Sequence, residues 1–314
     1  MKLVMLFPGQ GSQAVGMGRA LAEAFPTAMK TFEEAEQITG MPLRQLCWEG
    51  PEDDLRSTDN AQVALFVTSM AAYRVYREQG GPAATWMAGH SLGEYSALAA
   101  SGALSFADAL RIVRLRGQLM AKAEKGTMAA VLGLEAAKLE AICKDSPETV
   151  VIANYNSPDQ LVISGTLAGV GYASEKASEA GAKRVVPLSV AGAFHSPLME
   201  VASADLTQAL NEAPWQRADV PVLTNVDAQA TQEAVAFAAK LSAQLASPVR
   251  WTDAMRQALD NGAEGFVELG AGRVLSGLVK KLDRKIPTFN VEDPESLSKT
   301  LDALAAPVGG SVTP

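Results

Sequence analysis

The stretch Thr85-Trp-Met-Ala-Gly-His-Ser-Leu-Gly-Glu94 decides the fold, because it joins a short apolar run to a helix-forming segment through a glycine-flanked turn. The apolar run predicts a strand over 85–88, and the residues after the turn predict a helix over 94–100. Between them stands Gly89-x-Ser91-x-Gly93, the spacing of a nucleophile elbow, in which a serine hydroxyl is exposed at a sharp strand-to-helix turn. The sequence therefore predicts covalent acyl chemistry on Ser91.

Composition places the chain among globular proteins. Its 314 residues are 48% hydrophobic and 20% charged, enough for one large domain or two smaller ones. No apolar run reaches the ~18 residues of a membrane span, and the formal charge of -8 argues against broad nucleic-acid affinity. The apolar run 1–7 resembles a short signal sequence, but Pro8 and Gly9 interrupt it, so we expect a buried strand. The two cysteines, Cys47 and Cys143, provide no disulfide framework, which is typical of a reducing cytoplasm.

Short apolar strands alternate with helices along the chain, which predicts an α/β layer architecture. From 126 to 190 the order becomes β-α-β-β-α-β, the signature of a ferredoxin-like unit. We therefore predict a small inserted subdomain at 126–190 within a large subdomain formed by 1–125 and 191–304. The remaining residues, 305–314, are rich in small residues and are expected to form a mobile tail.

The hydrophobic pattern also predicts individual elements. The predicted strands are 3–7, 85–88, 128–134, 150–154, 161–164, 184–188, 220–225 and 265–269. The predicted helices are 18–39, 62–79, 94–100, 105–125, 135–144, 166–180, 196–212, 234–245, 253–261 and 274–282. Ser105 is the expected N-cap of its helix, with Asp108 in the first turn.

A nucleophilic serine needs a general base and hydrogen-bond donors for the oxyanion. The chain has only two histidines, His90 and His195, which also argues against a histidine-rich metal site. His90 directly precedes the serine, and adjacent side chains in an elbow point in different directions, so His195 is the better candidate for the base. The N–H of Leu92 is the expected first oxyanion donor. A second donor is expected from the loop 7–13 that follows the first strand.

The glycine-rich loop after the first strand also allows a rival interpretation. Gly9-x-Gly11-x-x-Ala14 approximates the dinucleotide fingerprint, and the spacing from Gly11 to Gly16 resembles the start of a P-loop. The P-loop pattern fails because Met17-Gly18 stands where Lys-Ser/Thr is required. No acidic residue ends a second strand as dinucleotide binding requires, so nucleotide binding is the less favoured interpretation.

An arginine pair, Arg114 and Arg116, lies within the predicted helix 105–125. Residues two apart point to different helix faces, and apolar or small neighbours surround Arg116. A buried arginine needs an anion, and its planar fork binds a carboxylate through two parallel hydrogen bonds. A solvent-exposed arginine is the alternative interpretation.

Five segments occur in the order and spacing of one family: Phe7-Pro8-Gly9-Gln10-Gly11-Ser12-Gln13, Gly89-His90-Ser91-Leu92-Gly93-Glu94, Arg116-Gly117, Gly192-Ala193-Phe194-His195-Ser196 and Ser247-Pro248-Val249-Arg250-Trp251. Together they resemble the malonyl-CoA:acyl carrier protein transacylases, which load the bacterial type II fatty-acid synthesis system. The resemblance extends from about residue 1 to about residue 290.

The resemblance implies an α/β-hydrolase-like large subdomain with a parallel sheet and an inserted ferredoxin-like small subdomain. It implies transfer of the malonyl group from malonyl-CoA to the phosphopantetheine thiol of acyl carrier protein, through a malonyl-serine intermediate. It further implies a cytoplasmic monomer with no metal and no permanently bound cofactor, and with neither nucleic acid nor membrane as a partner.

Catalytic roles are also implied by the resemblance. Ser91 matches the nucleophile and His195 its base, while the amides of Gln10 and Leu92 match the oxyanion hole. Gln244 matches a residue whose backbone carbonyl orients the histidine, so the expected machinery is a Ser-His dyad without an acidic third member.

Substrate-binding residues follow from the same resemblance. Arg116 matches the residue that binds the malonyl carboxylate, and Gln62 and Asn156 match positions that line the cleft. Phe194 resembles the residue of malonyl-specific members, and its ring is expected to crowd an additional α-methyl group.

Several alternatives stay open at this point. A serine esterase or thioesterase would use the same serine and histidine, but would not need a carboxylate-binding arginine. A polyketide-pathway acyltransferase acting in trans would share the chemistry, and a binding protein would need none of it. Acyl carrier proteins are acidic, so docking is expected to use a local basic cluster: Lys183-Arg184, or Lys280-Lys281 with Arg284-Lys285.

Overall fold

The computed structural model describes residues 1–123, 126–190 and 192–305 of the chain. The strands are β1 (Leu3–Phe7), β2 (Trp86–Gly89), β3 (Thr127–Leu132), β4 (Val150–Ser157), β5 (Gln160–Gly165), β6 (Arg184–Pro187), β7 (Val222–Leu223), β8 (Ala230–Thr231), β9 (Gly265–Leu269) and β10 (Thr288–Val291). The helices are α1 (Arg19–Ala24), α2 (Pro26–Thr39), α3 (Leu43–Glu49), α4 (Glu52–Arg56), α5 (Thr58–Glu78), α6 (Gly93–Ala100), α7 (Phe106–Lys122), α8 (Ala136–Lys144), α9 (Leu167–Glu179), α10 (Ser203–Glu212), α11 (Ala234–Gln244), α12 (Trp251–Asp260), α13 (Val274–Leu282) and α14 (Pro294–Ala305). A 3₁₀ helix covers Pro197–Ala202.

The larger sheet has the strand order β10-β9-β1-β2-β7-β8; its neighbours run parallel except β8, which pairs antiparallel with β7. Strand β1 is apolar and buried along its whole length, as a strand covered on both faces requires. Its side chains alternate between two cores: Leu3, Met5 and Phe7 pack with α5 and α7, and Val4 and Leu6 pack with α12 and α13. The predicted α/β architecture is confirmed.

The smaller sheet has the order β4-β5-β3-β6, and all its neighbouring strands are antiparallel. Helices α8 and α9 cover one of its faces and share a separate core with it. Both the β-α-β-β-α-β succession and the strand order are ferredoxin-like. These strands lie inside the predicted segment 126–190, while the division of the chain into subdomains at those boundaries stays a prediction.

Backbone hydrogen bonds join the smaller sheet to the segment that precedes α12. The N–H of Val249 donates to the oxygen of Ala153 at 2.8 Å, and the N–H of Tyr155 donates to the oxygen of Val249 at 2.9 Å. Strand β4 is thereby held against the segment that leads into α12. The cleft between the two sheets lies at the carboxyl ends of β1 and β2, where the predicted elbow stands.

Several predicted bounds are wrong. Helix α5 begins at Thr58 instead of 62, and the strand predicted at 220–225 is reduced to Val222–Leu223. The helix predicted at 196–212 begins as a 3₁₀ turn, where Pro197 lacks an N–H to donate. The predicted N-cap is confirmed, since the Ser105 side chain accepts a hydrogen bond from the N–H of Asp108.

The elements α3, α4, β8, β10 and α14 were not predicted. Helix α14 carried a start signal, because Asp293 precedes Pro294 and accepts a hydrogen bond from the N–H of Ser296 at 2.7 Å. Ala305 ends this helix, and the rest of the predicted mobile tail, 306–314, lies outside the described residues. Within the described ranges, no helix is long and apolar enough to cross a membrane.

Candidate active site

Ser91 stands on the turn between β2 and α6, with a left-handed φ of 51°. The His90 N–H donates to the Phe7 oxygen at 3.1 Å, which fixes the turn to the end of the central strand. A Cβ on Gly93 would lie 2.0 Å from that same oxygen, so only glycine permits this approach. The predicted strand-turn-helix geometry of the elbow is confirmed.

His195 comes from the loop between β6 and the 3₁₀ helix, and its φ of 57° is also left-handed. Its Nε2 lies 2.7 Å from the Oγ of Ser91, and its Nδ1 lies 2.8 Å from the main-chain oxygen of Gln244. The Ser247 oxygen lies 3.2 Å from the same Nδ1. Because carbonyl oxygens only accept hydrogen bonds, Nδ1 carries the proton and Nε2 presents a lone pair to the hydroxyl.

The imidazole of His195 is neutral in this environment. Burial, with a further contribution from the positive charge of Arg116, lowers its pKa to about 3. Among the described residues, no carboxylate contacts the ring. The structure thus brings together a serine and a neutral histidine that is oriented by backbone carbonyls.

Strained backbone is concentrated at these two residues. Within the described ranges, the non-glycine residues with positive φ are Ser91, His195 and Ala228. Such conformations cost free energy and persist where surrounding contacts hold them. Both members of the Ser-His pair therefore depend on neighbouring residues for their placement.

The backbone N–H of Leu92, directly after Ser91, and that of Gln10, in the loop after β1, have no protein acceptor in the part of the chain that the structure describes. The Ser91 N–H, in contrast, donates to the Asn225 Oδ1 at 2.7 Å. The loop that carries Gln10 packs directly against the elbow at Gly9. A Cβ on Gly9 would lie 2.3 Å from the His90 oxygen, so only glycine allows this contact. The assignment of the Gln10 and Leu92 N–H groups to an oxyanion hole stays a prediction.

Arg116 lies beneath the nucleophile and is only 1% exposed. Its Nη2 donates to the Ser91 Oγ at 3.0 Å and to the Gln244 Oε1 at 3.2 Å, and its Nη1 donates to the Gln62 Oε1 at 2.7 Å. All three acceptors are neutral, and in the described residues its buried Nε has no partner. Burial lowers the pKa of the guanidinium, which still remains charged. Among the described residues the guanidinium thus has no directly bonded carboxylate, although the buried Glu94 acts on it electrostatically from beyond Gln244.

Gln62 and Asn156, which were expected to line the cleft, lie behind its wall. Gln62 is fully buried and its carbonyl oxygen contacts Arg116. The Asn156 Oδ1 lies 2.7 Å from the His90 Nε2. Both side chains therefore support residues at the site instead of facing the open space.

The cleft contains a cavity of about 370 Å³ that opens onto Ser91 and His195. Gln10 lies on its wall, and an apolar part is formed by Met120, Met128, Leu188, Val190 and Phe194. Arg56 also lines the cavity. Within the described ranges, no group of three or more His, Cys, Asp or Glu side chains could hold a metal ion.

Comparison with known proteins agrees with this geometry. The family model of the acyl transferase domain matches residues 4–291. The malonyl CoA-acyl carrier protein transacylase of Bacillus subtilis is 45% identical over 309 residues, covering 96% of this chain and 97% of the relative. The chain belongs to the malonyl CoA-acyl carrier protein transacylase family. It is thus an acyltransferase.

Solved structures of transacylases share the fold. The enzyme from Coxiella burnetii has a TM-score of 0.95 at 36% identity, covering 98% of both chains. A malonyl-transacylase in complex with its type II PKS acyl-carrier protein has a TM-score of 0.94 at 40% identity, covering 96% of this chain and 100% of that one. The Escherichia coli transacylase is 39% identical over 306 residues, covering 96% of this chain and 99% of the relative.

Two residues at this transacylase site had no role assigned from the sequence: Asn225, and Glu94 in the quoted segment 89–94. Asn225 bonds to the elbow from the end of β7, and Glu94 lies buried behind it. Their placement depends on β7 being the neighbour of β2, and the strand order could not be derived from one sequence. Ser247, which contacts His195, belongs to the segment 247–251, for which the sequence analysis gave no role.

Proposed function

We propose that the protein transfers the malonyl group of malonyl-CoA to the phosphopantetheine thiol of acyl carrier protein in fatty-acid biosynthesis. The observation that carries this proposal is Arg116, a buried cation 3.0 Å from the Ser91 hydroxyl with only neutral partners. An acyl group bound to Ser91 and bearing a free carboxylate would supply a directly bonded anion. The names of the relatives describe the same reaction.

In the first half-reaction, the Ser91 Oγ attacks the thioester carbonyl while the His195 Nε2 takes the hydroxyl proton. The N–H groups of Gln10 and Leu92 hold the resulting oxyanion, and loss of one such donor typically costs about 3 kcal/mol. The C–S bond then breaks, and His195 gives the proton to the departing CoA sulfur. A malonyl ester remains on Ser91.

In the second half-reaction, the thiol of the phosphopantetheine arm takes the place of the leaving CoA. His195 accepts the thiol proton as the sulfur attacks the ester carbonyl. The same two N–H groups hold the oxyanion, and the ester C–O bond breaks. The proton passes to the Ser91 Oγ, which regenerates the free enzyme and releases malonyl-carrier protein.

Arg116 favours this proposal over a simple esterase. A neutral acyl group would leave the buried guanidinium without a directly bonded anion, which is unfavourable in a low-dielectric site. A carboxylated acyl group pairs with it and is held during both half-reactions. Malonyl-CoA and the carrier arm are then substrates, and the reaction needs no permanently bound cofactor.

For the carrier protein we favour the cluster Lys183-Arg184 as the docking site. Both side chains are exposed. In the other cluster, Arg284 and Lys285 are also exposed, but Lys281 pairs with Asp159 at 3.0 Å and Lys280 donates to main-chain carbonyls. Replacing Lys183 and Arg184 by alanine should raise the KM for carrier protein and leave the KM for malonyl-CoA unchanged. The same KM for carrier protein in the variant and the wild type would contradict this assignment.

We also predict a cytoplasmic location and a monomeric state for the protein.

Initial-rate kinetics test the proposed reaction. Malonyl-CoA is varied at several fixed concentrations of holo acyl carrier protein, and free CoA is measured in a parallel series without carrier. A covalent intermediate predicts parallel double-reciprocal lines and little steady CoA release without carrier. Converging lines would contradict the proposal, and sustained CoA release without carrier would indicate a thioesterase.

A further inference from the structure

Glu94 is a buried carboxylate that the mechanism above does not use. It is the second residue of α6, three positions after the nucleophile, and is only 1% exposed. Its Oε2 accepts hydrogen bonds from the Gln244 Nε2 at 2.7 Å and from the Asn225 N–H at 3.2 Å. One oxygen atom therefore joins two residues that arrive from separate parts of the chain.

Through Asn225, Glu94 acts on the elbow. The Asn225 Oδ1 accepts from the Ser91 N–H at 2.7 Å, and its Nδ2 donates to the Gly89 oxygen at 2.8 Å. The side chain thus spans the turn on both sides of His90. A serine with left-handed φ keeps that conformation only where such contacts hold it.

Through Gln244, Glu94 acts on the arginine. The Gln244 Nε2 donates both to Glu94 and to the Ser91 oxygen, the latter at 3.0 Å. Because both of these partners are acceptors, they fix the NH₂ end of the amide and turn the Oε1 toward Arg116, which donates to it at 3.2 Å. A rotated amide would direct its NH₂ group at the guanidinium.

We propose that Glu94 is a positioning residue, which holds the nucleophile through Asn225 and Arg116 through Gln244, and so supports selectivity for a carboxylated acyl group. The inference rests on the proposed function. Both contacts use a carboxyl oxygen as acceptor, which a glutamine at this position also offers. A Glu94→Gln variant therefore retains both acceptor contacts and separates them from the charge of Glu94, which also acts on Arg116.

The chain provides a matched control in Glu268. This carboxylate is fully buried in β9, and its two oxygens accept from the N–H groups of Leu275 and Ser276 at 3.0 and 2.7 Å. Burial raises the pKa of Glu268, as it does that of Glu94. Its hydrogen bonds stay between β9 and α13. Replacing either residue by leucine removes a buried carboxylate, but only one replacement reaches the active site.

The test compares kcat/KM for malonyl-CoA and for acetyl-CoA in four proteins: wild type, Glu94→Leu, Glu94→Gln and Glu268→Leu. The malonyl-to-acetyl ratio does not depend on the fraction of folded enzyme. Misplacement of reacting groups by about 1 Å costs about 10²-fold in rate, so Glu94→Leu should lose about that much with malonyl-CoA. The malonyl-to-acetyl ratio of this variant should fall about tenfold, which corresponds to a loss of about 1.4 kcal/mol in discrimination between the two thioesters. Glu94→Gln and Glu268→Leu should keep the wild-type ratio.

Two outcomes would overturn the proposal: an unchanged ratio in Glu94→Leu, or equal damage in Glu94→Gln and Glu94→Leu. If Glu94→Leu does not fold, Gln244→Met serves instead, since it keeps the main-chain carbonyl and should also lower the ratio. Labelling of Ser91 by a fluorophosphonate provides a readout that does not depend on malonyl chemistry. It should slow in Glu94→Leu more than in Glu268→Leu, and equal rates would contradict positioning of the nucleophile whichever substrate the wild type accepts.

Discussion

The Nη2 of Arg116 donates to the Oγ of Ser91 at 3.0 Å, so the buried cation directly contacts the atom that attacks the thioester. The hydroxyl proton is then directed to the other neighbour of Oγ, the His195 Nε2 at 2.7 Å. In the proposed reaction, a three-carbon acyl group bonded to the serine would place the carboxylate at its far end against the arginine. This proximity connects nucleophile activation to the choice of acyl group.

Replacing Arg116 by alanine should remove most malonyl transfer. Truncation of one partner in a buried, hydrogen-bonded charge pair typically costs 2–5 kcal/mol, so kcat/KM for malonyl-CoA should fall by about 30-fold or more. Acetyl transfer should fall less, because acetyl has no carboxylate. Arg111→Ala is the control, since that side chain lies on the same helix but is exposed and paired with Asp108. Unchanged malonyl transfer in Arg116→Ala would exclude this role.

The rate of acylation should not fall near pH 6.5 through protonation of a histidine. The pKa of His195 is lowered from 6.5 to about 3, so its ring stays unprotonated, and competent as a base, well below neutral pH. The rate of malonyl-Ser91 formation should therefore stay level as the pH falls from 8 to about 5. Rapid-quench measurement of that half-reaction tests this. A midpoint near 6.5 would show that the imidazole is not held neutral.

The free energy of unfolding should change between pH 4 and 8 through the titration of Glu94. Burial raises the pKa of Glu94 from 4.5 to about 7, with Lys240 and Gln244 opposing the shift. The native state then binds more protons than the unfolded chain, so this stabilisation is present at acid pH and is lost as the pH rises through 7. Between pH 4 and 8 the wild type should lose up to about 3 kcal/mol relative to Glu94→Gln. Parallel urea-unfolding curves for the two proteins would contradict it.

Replacing a glycine by alanine should have opposite effects on stability at the elbow and in an ordinary helix. In Gly93→Ala the new Cβ would lie 2.0 Å from the Phe7 oxygen, so the elbow must shift and acylation should be lost with stability. Gly277→Ala in α13 meets no atom within 4 Å and should stabilise the protein by about 0.5–1 kcal/mol. Urea unfolding measures both effects. A stable, active Gly93→Ala protein would contradict the described packing.

Phe194 should restrict the size of the acyl group. Its ring is 6% exposed and lies on the cavity wall beside His195. Phe194→Ser should improve the ratio of methylmalonyl-CoA to malonyl-CoA turnover by about tenfold, since one methyl group is worth about 1–3 kcal/mol in such a pocket. Competition between the two thioesters measures the ratio. If it does not change, the α-methyl group does not meet this ring.

The sequence indicated which residues lie together around Ser91 better than it indicated the contacts that hold them. The elbow at Ser91 was predictable because its spacing, strand and helix are all local in the chain. Asn225 and Glu94 were not, since their meeting depends on β7 lying next to β2. The positions of Gln62 and Asn156 behind the cavity wall depend on how α5 and β4 pack. Tertiary packing of this kind leaves no local signal in a single sequence.

The same distinction applies to the elements. Strand β9 and helix α13 were predicted at their observed bounds, because each is an apolar run with clear ends. Strand β7 was predicted too long at both ends: Val220 and Pro221 precede the observed strand, and the polar residues Thr224 and Asn225 follow it in a turn. That turn is held by side-chain contacts to the elbow, which override the local preference for strand.

Intact-protein mass spectrometry after mixing with malonyl-CoA would test the proposed reaction most directly. The wild type should gain one malonyl group and lose it when holo acyl carrier protein is added. Ser91→Ala should gain none, and acetyl-CoA should modify the wild type less than malonyl-CoA does. An adduct that persists in Ser91→Ala, or a wild type that remains unmodified, would contradict a malonyl-Ser91 intermediate.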